Sequence, residues 1–153
     1  MKLATLILMS LLIGSAFVGA SSGQKTDPFA NVPASQRDRL KSRLTEFVDY
    51  HRTKQWERVY DLLAERSKHA EEGGLPKDLF LKKKLYSEAK KFTPTSIHKM
   101  DDDWWMIWGC ATYQRGGAME SALEAYFQDG NWFFSDIWSS PPCVDCTPRS
   151  CKH

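Results

Sequence analysis

The second half of the chain alternates with a two-residue period. In MESALEAYFQ, Met119, Ser121, Leu123, Ala125 and Phe127 fall on one side, and Glu120, Ala122, Glu124, Tyr126 and Gln128 on the other. That is the period of a strand with one face buried. Asp129-Gly130 then separates two strand-like runs, and a two-residue hairpin loop needs the positive φ that Asp tolerates and Gly adopts freely. Gly116-Gly117 is expected to close the preceding hairpin in the same way. Phe92 to Met100 supplies a further strand, with Pro94 marking an edge position or a bend, and Asp101-Asp102-Asp103 turns the chain into WWMIWGCATY.

Upstream the period lengthens. Leu40, Leu44, Phe47, Val48 and His51 form one apolar stripe at helical spacing, and Ser35 is placed to cap that helix. Arg52-Thr53-Lys54-Gln55 interrupts it. A second helix starts near Trp56, buries Trp56, Val59, Tyr60, Leu62 and Leu63, and ends at Glu71-Glu72-Gly73-Gly74, because paired glycines are poor in a helix interior. Pro76 suits the first turn of a third helix, with Leu81, Leu85 and Ala89 on its apolar side. Helices followed by strands predict an α+β fold: three N-terminal helices packed on a curved, cone-shaped antiparallel sheet of about four strands.

The ends of the chain read differently. Lys2 followed by the apolar run Leu3 to Val18, with Gly19-Ala20 before polar Ser21-Ser22-Gly23, has the pattern of a secretion signal cleaved after Ala20. The run is short for a membrane span. The expected organisation is a signal at 1–20, a linker at 21–34, one domain at 35–139 and a Cys/Pro-rich tail at 140–153. The expected location is extracytoplasmic, secreted or periplasmic, with no membrane attachment after cleavage.

Charge is unevenly spread. Residues 21–100 carry 17 Lys+Arg against 11 Asp+Glu, net +6, and residues 101–153 carry 3 against 8, net −5. Acids and bases are interspersed along the helices, which describes a solvated face and argues against nucleic-acid binding.

Two stretches carry a family likeness. LTEFVDYHRTKQWERVYDLLAE gives a long helix, a break before an aromatic, and a second helix ending in Leu62-Leu63; DGNWFFSDIW gives a last hairpin with Gly-x-Trp before an aromatic run. Together they resemble nuclear-transport-factor-2-like domains of the cystatin-like and SnoaL-like kind. The resemblance implies a bent sheet wrapped around helices with a pocket at its open end. Members of that group include isomerases, dehydratases and epoxide hydrolases, and many only bind ligands or partners. The group usually places a short strand after the second helix, where Leu75–Ala89 reads here as helix throughout.

No catalytic constellation accompanies the resemblance. The segment after the second helix, where the isomerases carry a carboxylate base, is basic here, with Lys77, Lys82, Lys83 and Lys84. The sequence holds no Ser–His–Asp order, phosphate loop or metalloprotease helix, and it calls for no cofactor or metal. The candidate ligand-binding residues are Tyr50, His51, Trp105, Trp108, Tyr113 and Tyr126. Trp104, Met106 and Trp108 alternate on one face of a strand, and Trp105, Ile107 and Tyr113 on the other, so both faces are apolar. A face left in water calls for a cover: a ligand, a second copy in a sheet-to-sheet dimer, or the tail. The reading is an exported non-catalytic domain that binds a small apolar ligand or a protein partner. The alternative is a cavity enzyme of lyase or isomerase type using His51 or a carboxylate.

The tail spells C-x2-C-x4-C-x-H through Cys143, Cys146, Cys151 and His153. Three thiolates and an imidazole would suffice for zinc, but zinc sites draw their ligands from separated knuckles. In an oxidising compartment an even cysteine count favours disulfides. Cys110, Cys143, Cys146 and Cys151 allow three pairings. A bridge from Cys110 to the tail would pin the tail across the face that holds Trp108.

The leader gives the first testable outcome. The intact mass of the exported protein should correspond to a chain starting at Ser21 or within a few residues of it. Full-length chain retained in membranes with Met1 present would overturn the cleavage.

Overall fold

The computed structural model describes residues 27–69, 74–83, 89–113, 116–135 and 138–139. The signal segment, the end of the third predicted helix at Leu85 and the cysteine tail lie outside them. The elements are α1 (Ala34–Arg52), α2 (Trp56–Asp61), a 3-10 turn (Glu65–Ser67), α3 (Lys77–Lys83), β1 (Ala89–Lys99), β2 (Trp104–Tyr113), β3 (Gly116–Gln128), β4 (Asn131–Phe134) and β5 (Trp138–Ser139). The fold is α+β. The antiparallel sheet runs β1-β2-β3-β4, and β5 also pairs with β3, beyond the end of β4. The helices occupy residues 34–83, the middle of the chain rather than its N-terminus.

α1 buries the stripe read from the sequence: Leu40, Leu44, Phe47 and His51 face inward. It lies on the sheet against β1 and β4, while α2 packs on α1 and α3 on α2. Ser35 does not cap it. Pro33 takes that position with an extended backbone, and its carbonyl accepts from the amides of Gln36 and Arg37. The break at Thr53–Gln55 falls where expected, with Lys54 at φ 58°.

α2 is six residues long, much shorter than its apolar pattern predicts. Tertiary hydrogen bonds end it. The Ala64 amide donates to the Phe134 carbonyl at 2.8 Å, and the Phe134 amide donates to the Leu62 carbonyl at 2.9 Å. Leu63 thereby bridges Phe134 in parallel, so Leu62–Ala64 runs along the β4 edge and satisfies backbone groups that would otherwise be unpaired. Ala89, predicted on the third helix, belongs to β1, where it is buried opposite Tyr113.

β1 is an edge strand, which is why Pro94 is tolerated without its amide. Register shifts interrupt its pairing between Ala89 and Lys91 and between Pro94 and Ser96. At the second shift the backbone comes so close to Gly109 that an added Cβ would stand 2.5 Å from the Thr93 carbonyl oxygen. The first hairpin of the predicted pair closes differently from expectation. Tyr113 pairs with Gly116, so both glycines belong to the start of β3 rather than to the turn. The second closes as read: Asp129 at φ 49° and Gly130 at φ 75° turn between paired Gln128 and Asn131.

Gly130 has room for a side chain, its nearest neighbour being the Arg39 guanidinium at 3.5 Å from an added Cβ. The penalty of Gly130→Val is therefore conformational. We expect it to lower unfolding free energy by more than about 1 kcal/mol, read from the denaturation midpoint. An unchanged midpoint would mean that this turn tolerates a β-branched residue.

Candidate functional site

The two faces of β2 separate the aromatic residues. Trp105, Ile107 and Ala111 are buried on the inner face, and Trp104, Met106, Trp108 and Cys110 lie on the outer one. On the inner face Trp105 meets Trp132 of β4 edge-on, with centroids 6.1 Å apart. Trp132 in turn donates from Nε1 to the Gln36 carbonyl at 3.3 Å. His51 is 0 % exposed, its ring 4.6 Å from Phe47 and 5.7 Å from Trp56, edge-on to both. Tyr50, its neighbour on α1, is half-buried against the same core. Tyr113 shares a 2.9 Å hydrogen bond with the fully buried Ser121 hydroxyl further along the sheet.

Trp108 and Tyr126 lie on the outer face. Trp108 is 36 % exposed. Tyr126 is buried, donating to Glu124 Oε2 at 2.7 Å, with the Arg66 guanidinium 5.5 Å from its ring centroid. Burial, with the Glu124 carboxylate adding to it, pushes the Tyr126 phenol above its ordinary ionisation range, and Arg66 offsets part of the effect. The six predicted ligand residues thus divide between α1, the inner face and the outer face. Tyr50 and His51 are neighbours, but Trp108 and Tyr126 stand across the sheet from Trp105 and Tyr113.

A different place is concave. A cleft of about 350 Å³ opens between α1 and the start of β1. Leu44, Val48, Phe92 and Pro94 form its apolar floor, and Phe29 closes one end. Lys41, Arg52, Lys90 and Lys91 stand around it. Arg52 donates from Nε to Asp49 at 3.0 Å, which matches its charge. Lys41 lies 3.9 Å from Asp27 and over the Phe29 ring. Among the described residues no carboxylate pairs with Lys90 or Lys91. Sequence reasoning did not single these residues out. The basic excess of residues 21–100 was the one signal for them, and it did not say which bases converge.

Asp101–Asp103 forms the β1–β2 turn. Asp102 accepts from Lys99 at 3.3 Å, Asp101 accepts from the Asp102 amide, and the Asp103 carbonyl accepts from Phe127. Among the described residues no cluster of His, Cys, Asp and Glu is arranged to hold a metal, and no helix is long and apolar enough to cross a membrane. Cys110 is disulfide-bonded. A scan of protein-family models and a search of curated proteins return no match to this chain.

The Tyr126 environment gives a pH prediction. Below about pH 10 the phenol is neutral in both folded and unfolded chains and its stabilisation is complete. As pH rises further the unfolded chain ionises first, so stability falls. Tyr126→Phe should remove a late-ionising phenol from the ultraviolet absorbance titration and should flatten the loss of stability above about pH 10. Identical titrations for both proteins would contradict the shift.

Proposed function

We propose that this chain is an exported binding module that holds a small amphipathic ligand, with an apolar body and an anionic end, in the cleft between α1 and β1. The observation that carries the reading is the union of an apolar lining with Lys90 and Lys91, which pair with no carboxylate among the described residues. The floor favours a hydrocarbon body through burial. Lys90 and Lys91 favour an anion at the mouth, where ammonium groups donate to a carboxylate or phosphate. The cleft is at the small end of ligand-site volumes, which points to a short chain.

The architecture that goes with this reading is nuclear-transport-factor-2-like, with the helices closing one face of a curved sheet. Leu63–Ala64, bridged to β4, occupies the place in the chain where that group carries a short strand after its second helix, which supports the likeness. Binding without catalysis is the better reading because His51, the base considered from the sequence, is enclosed by Phe47 and Trp56 away from this cleft.

Titration calorimetry with decanoate and decanol tests the reading. Decanoate should bind saturably and more tightly than decanol. Each exposed ion pair contributes at most about 1 kcal/mol, so charge reversal in Lys90→Glu/Lys91→Glu should weaken decanoate by about fivefold or more and leave decanol little changed. Equal affinity for acid and alcohol, or decanoate binding that ignores the double substitution, would overturn the proposal.

A further inference from the structure

The two ends of the α1–β1 cleft are unlike. On α1 its lining runs from Lys41 to Arg52, which is about 16 Å of helix. Lys41 lies over the Phe29 ring, 5.0 Å from its centroid, and its charge is met by Asp27 at 3.9 Å. Phe29 therefore stands at the Lys41 end. Asn31 donates from Nδ2 to the Ile97 carbonyl at 3.2 Å, so the segment that carries Phe29 sits beside the later part of β1. Lys90 and Lys91 belong to the start of β1, roughly 20 Å back along the strand from Ile97. They stand at the Arg52 end. One end of the cleft is closed by an aromatic ring. The other carries the two lysines that pair with no carboxylate among the described residues.

The ring is firmly held. Phe29 is 9 % exposed and belongs to the hydrophobic core. Its amide donates to Asp27 Oδ1 at 3.0 Å, and its carbonyl accepts from the Val32 amide at 3.0 Å. The Arg37 guanidinium, from α1, donates to the carbonyls of Ala30 and Val32, each at 3.1 Å. Asn31 ties the same turn to β1. A turn fixed to both elements moves its aromatic residue aside only by breaking several of these bonds.

The span between the ends sets a length. A saturated chain with bonds of about 1.5 Å at tetrahedral angles advances about 1.25 Å per bond. Decanoate is then about 11 Å from first carbon to last, and tetradecanoate about 16 Å. The Phe29 ring takes up the last part of the roughly 16 Å between the ends. Decanoate fits short of the ring, and tetradecanoate overruns it.

We propose that Phe29 is the residue that sets ligand length in this cleft, with the ligand's anion at Lys90 and Lys91 and its hydrocarbon end against the Phe29 ring. The assignment rests on the binding reading above. It adds the orientation of the ligand, a limit of about ten to twelve carbons, and the side chain that imposes the limit.

Titration calorimetry of the carboxylates from octanoate to tetradecanoate, on the wild-type chain and on Phe29→Ala, tests the stop. Full burial of the four methylenes that separate decanoate from tetradecanoate would tighten binding by more than about a hundredfold. In the wild-type protein the gain should stay below about threefold, because the added carbons meet the ring. In Phe29→Ala it should reach about tenfold or more. Preference for decanoate over decanol should be the same in both proteins, since Lys90 and Lys91 stand at the far end. A general loosening of the fold would weaken the whole series alike and leave its dependence on length unchanged. Should Phe29→Ala fail to fold, Phe29→Leu carries the same test with a smaller shift in the same direction. If no carboxylate binds the wild-type protein, the cleft reading fails and the stop with it. If decanoate binds and responds to Lys90→Glu/Lys91→Glu, yet both proteins show the same dependence on length, the stop alone is overturned.

Discussion

The seam between α1 and β4 is the contact on which the remaining structure depends. Phe47 lies 4.9 Å from Phe134, and Trp132, fully buried, bonds through its indole nitrogen to the Gln36 carbonyl while its ring meets Trp105 and Phe127. An isolated antiparallel sheet cannot keep a wholly apolar face in water, and among the described residues α1 is the one long helix that covers it. Once α1 is set there, the rest has little freedom. The break at Thr53–Gln55 turns α2 back onto α1, and the chain next meets the β4 edge, where Phe134 accepts and donates the hydrogen bonds that end the helix.

This seam also decides where chemistry can occur. The inner face is spent on packing. His51 and Trp105 are core residues there, buried among aromatic neighbours. Among the described residues, two surface margins stand out. One is the groove where α1 diverges from β1 and basic side chains meet apolar ones. The other is the outer face of β2, apolar because the same strand contributes large residues on both sides.

The two margins differ in what they ask of a partner. The groove combines apolar lining with basic side chains, so the affinity of the amphipathic ligand proposed above would fall with ionic strength. The outer face of β2 is apolar along Trp104, Met106 and Trp108, with Trp108 exposed.

Period and turn chemistry were legible from the sequence because both are local. The stripe Leu40–Leu44–Phe47–His51, the alternation of β2 and β3, and the Asp129-Gly130 turn each follow from steric preferences within a few residues, and the structure bears them out. The α+β class follows from their order. What the sequence misjudged was where one element yields to another. Leu62 and Leu63 continue a helical pattern, yet hydrogen bonds to Phe134, about seventy residues away, end the helix at Leu62 and draw Leu63 into a bridge with the β4 edge. Gly116-Gly117 has the composition of a turn, but register with Tyr113 puts both glycines in the strand. The cleft was illegible for the same reason: Lys41 and Arg52 come from α1, Lys90 and Lys91 from β1, and their convergence depends on how the helix lies across the sheet. Local sterics wrote the elements into the sequence; their ends, and the site between them, depended on long-range hydrogen bonds and packing that exist only once the chain is folded.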